Sequence, residues 1–292
     1  MTVQAALLPD RSLLEIAGED RLSFLQGLIT NDVEGLVRGA ACFAGLLSPQ
    51  GKILFDFFVI DAGDHLLLDC PPASGADLLK RLTFYKLRAK IKLSDVSERW
   101  RVAAAWGERA ADFCGANAGI AFQDPRLPAL GFRALIEADR ASQLPAGKSD
   151  YEAMRIALAV PEGGKDYAYG DAFPHEACFD LLHGVNFKKG CYVGQEVVSR
   201  MQHRGTARTR VLAVSAARPL PDGGADILAD GFAVGRLGSA AGTLGIALAR
   251  LDRVAEAMAK GQPLKAGGVS VALTVPSWAT YTLDSSSAGA TH

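Results

Sequence analysis

The chain has 292 residues, enough for two or three domains of ordinary size. Its 49% hydrophobic and 22% charged residues describe a globular protein rather than a disordered or fibrous one. Lys and Arg (31) balance Asp and Glu (32) to a net charge of −1, so no global field draws the chain to nucleic acid or to an anionic membrane, and any anion site is local. No run approaches the roughly 18 apolar residues of a membrane helix, and the first ten residues lack the charged and apolar regions of a secretory signal, which predicts a cytoplasmic protein without a membrane partner. Cys42, Cys70, Cys114, Cys178 and Cys191 are scattered, odd in number and never in CxxC spacing. That pattern excludes a disulfide framework, a zinc site and a complete iron–sulfur site from this chain alone, so no metal ligands are expected.

The first element is a strand, Ser12 to Ile16, followed by Leu22, Leu25, Leu28 and Ile29 at helical spacing. Cys42 to Leu47 and Ile53 to Ile60 read as two strands of a hairpin joined by Ser48-Pro49-Gln50-Gly51-Lys52. His65 to Cys70 is a strand, Ala73 to Leu87 a helix with Leu78, Leu79, Leu82 and Tyr85 on one face, and Ile91 to Val96 a closing strand. A similar grammar restarts with a strand to Trp106, a helix from Arg109 to Ala116, a loop at Asp124-Pro125-Arg126, a strand from Gly131 to Glu137 and a helix from about Ser149. After Arg210, short β segments at 211–214, 232–235, 244–251 and 269–275 predict a small β-barrel. The fold class is therefore α+β, with expected domains at 1–98, 99–205 and 206–283 and a disordered tail at 284–292.

Functional residue types concentrate between Phe187 and Arg210. Gly190 and Gly194 bracket Cys191-Tyr192-Val193 and allow a tight turn that exposes the thiol. If Gly194 opens a helix, Gln195 and Glu196 occupy its first turn, where free N–H groups favour a thiolate or a bound carboxylate. Lys188 and Lys189 beside Cys191 would lower the thiol pKa. Glu196 and Arg200, four apart, either pair in solvent or together read a heterocycle. Arg200, His203, Arg204, Arg208 and Arg210 form either an exposed basic face or an anion site.

The octapeptide Lys189-Gly190-Cys191-Tyr192-Val193-Gly194-Gln195-Glu196, with Arg200 and Arg204-Gly205 after it, resembles the signature of the YgfZ family, whose eukaryotic relatives act in mitochondrial iron–sulfur protein maturation. Residues 24–33 (Phe24 to Val33), 47–53 (Leu47 to Ile53) and Arg155-Ile156 resemble the same family in the same order, so the likeness spans most of the chain. It implies a three-domain ring of the YgfZ and glycine cleavage T-protein type: two mixed α/β, ferredoxin-like domains and a C-terminal β-barrel around tetrahydrofolate or a one-carbon derivative. It also implies iron–sulfur client proteins as partners, an indirect link to tRNA modification, and no direct contact with nucleic acid. The family's motif cysteine maps onto Cys191 as a reactive thiol, and the implied folate-binding residues are Asn31, Asp56, Arg155, Lys189, Tyr192, Gln195, Glu196 and Arg200.

The T-protein aminomethyltransferase, which this chain also resembles, uses an Asp in a Gly-Gly-x-x-Asp-Asp stretch and a Glu in a Leu-Arg-x-Glu stretch. Here the first reads Gly51-Lys52-Ile53-Leu54-Phe55-Asp56, with one carboxylate of two, and the second Met154-Arg155-Ile156-Ala157. Alanine can neither accept a pterin hydrogen bond nor stabilise an iminium-like centre. The expectation is a folate-binding factor without classical turnover that supports iron–sulfur cluster assembly or repair. The alternatives are a rearranged one-carbon transferase using Asp56 or Glu196 and an RNA-binding module on the 200–210 arginines.

Overall fold

The computed structural model describes residues 3–141, 144, 147–205 and 207–283; the tail expected to be disordered, 284–292, lies outside them. The chain divides into two compact units, one of residues 1–151 with 182–196 and one of 152–181 with 197–292. This differs from the serial boundaries at 98 and 205. The segment that carries the octapeptide returns to the N-terminal unit, and the first strand joins the second sheet of that unit.

In the first unit, β1 (Gln4–Leu7), β2 (Ser12–Ala17), α1 (Arg21–Gln26), β3 (Ala41–Leu47), β4 (Ile53–Asp61), β5 (His65–Cys70), α2 (Pro72–Lys86) and β6 (Lys92–Asp95) are followed by β7 (Trp100–Trp106), α3 (Ala110–Asn117), β8 (Ile120–Gln123), β9 (Phe132–Glu137) and the start of α4 (Lys148–Ala157). One sheet has the order β3-β4-β5-β2-β6 and the other β1-β7-β9-β8, every pairing antiparallel. The long apolar runs in β3, β4 and β5 are explained by burial on both faces. On one face Leu46, Phe57, Val59 and Leu68 pack with Leu25 of α1 and with Leu78 and Leu82 of α2.

The opposite face carries a buried ionic network. Asp69 of β5 accepts from Arg11 Nε at 2.5 Å and from Arg133 Nη1 of β9 at 2.7 Å. Arg133 Nε also reaches Asp124 at 3.3 Å, and Asp124 holds Arg126 in a two-point contact at 3.0 and 2.8 Å. Phe58, paired with Phe43 across the β3–β4 hairpin, lies under the guanidiniums of Arg133 and Arg126 at 4.1 and 4.9 Å. Burial alone would raise the Asp124 pKa, but Arg126 and then Arg133 outweigh it and hold the carboxyl below its ordinary value.

The second unit contains most of α5 (Gln195–Arg204), then β10 (Thr209–Ala216), β11 (Asp226–Ala229), β12 (Phe232–Ala241), β13 (Leu244–Arg250), α6 (Leu251–Ala259), β14 (Leu264–Ala266) and β15 (Val269–Thr274). The strands close a six-stranded barrel in the order β10-β13-β12-β11-β14-β15, filled by Leu212, Val214, Ile227, Leu237, Ala247 and Leu273. The barrel expected from the broken β segments is thus present, with β11, β14 and α6 added to it.

Candidate functional site

The site is built in the first unit from three loops, each of them one of the segments that the sequence singles out. The apolar spacing predicts a helix through Ile29, but α1 ends at Gln26, with Gly27 as its cap. Residues 26–33 instead form an irregular loop held by side chains. Gln26 Nε2 donates to Asp32 Oδ1 at 3.0 Å, and Gln26 Oε1 accepts from Val33 N at 3.0 Å. Thr30 is fully buried; its hydroxyl donates to Gly184 O at 2.6 Å and accepts from Gly45 N at 2.8 Å. Asn31 Nδ2 donates to Phe43 O and to His183 O, each at 2.7 Å.

Lys189 ties the octapeptide to that loop. Its Nζ donates to the carbonyls of Gln26, Ile29 and Asn31 at 2.8, 2.7 and 2.7 Å, so the three ammonium hydrogens are committed to the backbone of the last residue of α1 and of the loop after it. Burial pulls its pKa down to about 8, and the cage of three acceptors suits the protonated form it keeps at neutral pH. The charge expected to activate Cys191 is therefore turned inward. Tyr192 is buried, with Lys189 Nζ 5.3 Å from its ring centre and its phenol pushed up to about 12 by desolvation.

The third loop is the β3–β4 turn. Gly194 has φ +82°, and a Cβ there would lie 2.6 Å from Ser48 O and 3.1 Å from both Gly51 Cα and Leu47 Cβ. Only glycine meets both demands. Gln195 Oε1 accepts from Tyr192 N at 3.4 Å and Gln195 N donates to Tyr192 O at 3.3 Å, which closes the turn before α5. The three loops form one knot, and Cys191 sits exposed on it, whereas the other four cysteines are buried. Burial pushes the Cys42 and Cys70 thiols to about 12 and Cys114 to about 11, and raises Cys178 as well.

The expected folate-binding residues are divided between the two units, Arg155 and Arg200 falling in the second and the others in the first. Asn31, Lys189, Tyr192 and Gln195 come together as the struts of the knot: Asn31 and Lys189 spend their side-chain donors on backbone carbonyls, and the Gln195 side-chain oxygen accepts from the Tyr192 backbone. Asp56 is buried on the arginine-rich face of β4, opposite Phe57. Arg155 belongs to the second unit and is fully buried. It donates to Asp166, Val160 O, Glu152 and Ser239 at 2.7 to 2.9 Å, and its Nε lies 3.4 Å from Glu162. Burial opposes its charge, but Asp166, Glu162 and Glu152 outweigh that and raise its pKa. It is a hub joining α4 to β12. Glu196 and Arg200 are exposed and form no ion pair with each other. Ala157, where a T-protein would carry Glu, is exposed at the end of α4. Arg210 holds Asp180 at 2.7 and 2.9 Å and leaves the basic face expected there.

Sequence reasoning missed Thr30, Asp69, Asp124 and Arg133 as organising residues. Asp69 and Arg133 are charged residues set among apolar strand neighbours, and that oddity is the signal that could have marked them; Thr30 and Asp124 stand beside other polar residues and carry no such signal.

Residues 208–281 match the model of the CAF17 C-terminal beta-barrel domain. The chain is similar in structure to the aminomethyltransferase T of the glycine cleavage system from Bartonella henselae, with TM-score 0.73 over 95% of this chain and 86% of that one, at 13% identity. This establishes a T-protein fold. Among curated proteins, the chain is 33% identical to the mitochondrial iron–sulfur cluster assembly factor IBA57 homolog of Mycosarcoma maydis and 34% identical to that of Neurospora crassa, over 73% and 70% of its own length. It spans only 57% and 52% of those two fungal proteins. It is 32% identical to human mitochondrial IBA57 over 93% of this chain and 84% of that one. Two expectations are corrected. These relatives are mitochondrial proteins, which overturns the cytoplasmic placement expected from the sequence. The likeness to YgfZ holds for the shared fold, while the relatives carry another name. By its identity to the human protein over most of both lengths, the chain belongs to the IBA57 family of iron–sulfur cluster assembly factors.

Proposed function

We propose that the protein supports iron–sulfur cluster assembly by offering Cys191 as an exchangeable ligand to a cluster held mainly by a partner protein. The observation that carries this reading is the exposure of Cys191 on a rigid knot while every other thiol of the chain is buried. A cluster is cargo here, because it takes about four ligands and no group of three or more His, Cys, Asp or Glu among the described residues could hold a metal. The remaining ligands come from the partner. On coordination a sulfur–iron bond forms at Cys191 as one bond from iron to a partner ligand breaks, and the displaced ligand leaves carrying the proton that the thiol gives up. Family membership supports the cargo class, and a link to tRNA modification follows indirectly, through cluster-dependent clients.

Tetrahydrofolate is a poorer fit to the residues present. Asn31, Lys189 and Arg155 use their donors inside the protein, and Ala157 supplies no carboxylate. The RNA reading loses Arg210 to Asp180. Cys191→Ala tests the proposal: the variant keeps the wild-type circular dichroism and denaturation midpoint but fails to restore cluster-dependent enzyme activity in cells lacking their own copy of the protein. Full restoration by Cys191→Ala sinks the ligand role.

A further inference from the structure

We propose that the outward face of α2 is a docking surface for an acidic segment of a partner protein with an apolar anchor residue. The surface lies wholly within the first unit and is independent of the role given to Cys191.

Leu78 and Leu82 turn α2 into the core. The opposite face, Asp77, Lys80, Arg81 and Phe84 at helical spacing, lines with Phe55 of β4 a hollow of about 470 Å³. Phe84 is 75% exposed beside it, and Leu87, the residue that caps the helix, is 89% exposed. Leu87 sits at φ +43°, where leucine is disfavoured and glycine is the usual choice for a helix end. An exposed leucine in that conformation adds nothing to the core, whereas it does extend the apolar surface begun by Phe84. Lys80 and Arg81 stand in the lining and exposed Arg88 follows Leu87; none of the three is held by an ion pair among the described residues, and the lining has one acid, Asp77.

The pattern selects the occupant. A basic rim around an apolar centre is complementary to an acidic segment. A second copy of the same face would bring like charges together. The hollow beside Phe84 accepts a side chain, which a bilayer surface does not offer, and a large apolar residue of the partner is the anchor that fits it.

The test uses the full chain and a fluorescein-labelled, Glu-rich amphipathic helical peptide with one Phe on its apolar face, read by fluorescence anisotropy. Because the altered side chains are exposed, Phe84→Ser with Leu87→Ser, and Arg81→Glu with Arg88→Glu, retain the fold. Wild type binds the acidic peptide, each double variant binds it at least about tenfold more weakly, and raising salt from about 0.05 to 0.5 M weakens binding severalfold. The proposal is overturned if wild type does not bind that peptide, if the double variants bind it equally well, or if a Lys-rich counterpart binds as tightly. It is equally overturned if Phe84 and Leu87 are needed instead for sedimentation with phosphatidylglycerol vesicles or for self-association in the ultracentrifuge.

Discussion

The two glycines of the octapeptide look equivalent in sequence, and the structure separates them sharply enough to test the knot. Gly194→Ala places a Cβ on a residue at φ +82°, which costs about 1–2 kcal/mol for any L side chain. The same Cβ falls 2.6 Å from Ser48 O and 3.1 Å from Gly51 Cα, backbone atoms that cannot rotate away, which adds about 1–3 kcal/mol of overpacking. The expected loss is therefore about 2–5 kcal/mol. Gly190 has no positive φ, and nothing lies within 4 Å of a Cβ built on it. Gly190→Ala should thus stay within about 1 kcal/mol of wild type. Native-state hydrogen exchange of residues 189–196 gives the local opening free energy, and the rate of Cys191 with an aromatic disulfide reagent gives its presentation, because the other thiols are buried. If Gly194→Ala keeps wild-type protection and matches Gly190→Ala within about 0.5 kcal/mol, the packing of the motif on the β3–β4 turn is not what fixes Cys191.

Lys189→Met should leave three backbone carbonyls without their donor and cost about 2–4 kcal/mol, with faster amide exchange from Ile29 to Asn31; unchanged exchange there would mean that water replaces the ammonium at no cost. Asp69→Asn removes the carboxylate shared by Arg11 and Arg133 and should lower stability by about 3–5 kcal/mol in urea titration, while leaving the Cys191 thiol rate intact. Burial holds the His175 pKa below its ordinary 6.5 against the opposing pull of Asp180. The folded chain thus binds fewer protons than the unfolded one below that value, and stability falls as pH drops below about 6.5 and is unaffected above it. His175→Asn should flatten that slope in denaturation midpoints compared between about pH 7 and 5, and an unaltered slope would assign it to other groups.

Much of the fold is legible because its strands are plain. The runs at 42–47 and 53–60 read as a hairpin from their turn residues, and the Leu78, Leu82 spacing of α2 needs no tertiary knowledge. Where reading failed, the deciding partner was distant. β1 is two alanines between Gln4 and Leu7, a strand because it pairs with Ala103 to Trp106. β11 and β14 are four and three residues long and exist through their barrel neighbours. α6 begins at Leu251, where the strand reading had placed its last residue, and its buried Val254 and Ala257 have too short a period to outweigh the β pattern before them. Helix α1 was read too long because Leu28 and Ile29 keep helical spacing, while the chain turns at Gly27 and Thr30 N donates to Gly45 O of β3, and Lys189, 163 positions away, takes the Gln26 carbonyl that the next helical turn would use.

The same distance explains why the site's residues were legible and their roles were not. Lys189, Asn31 and Gln195 are chemically able to bind a polar ligand, and composition alone favours that use. The structure gives each a nearer claimant: carbonyls for Lys189 and Asn31, the Tyr192 backbone for Gln195. A polar group already matched within the protein, as the Lys189 and Asn31 donors and the Gln195 oxygen are, has less to gain from a ligand, since exchange would uncover the partner it leaves. The three segments also lock one another, and that structural role employs these polar groups within the protein. What the lock leaves over is a single polarisable atom, the Cys191 sulfur, held at the surface with its backbone already ordered. A ligand that must be taken up and released gains from that arrangement, because the loop is not reordered at each exchange and the entropic part of the barrier is set by the fold rather than by the encounter.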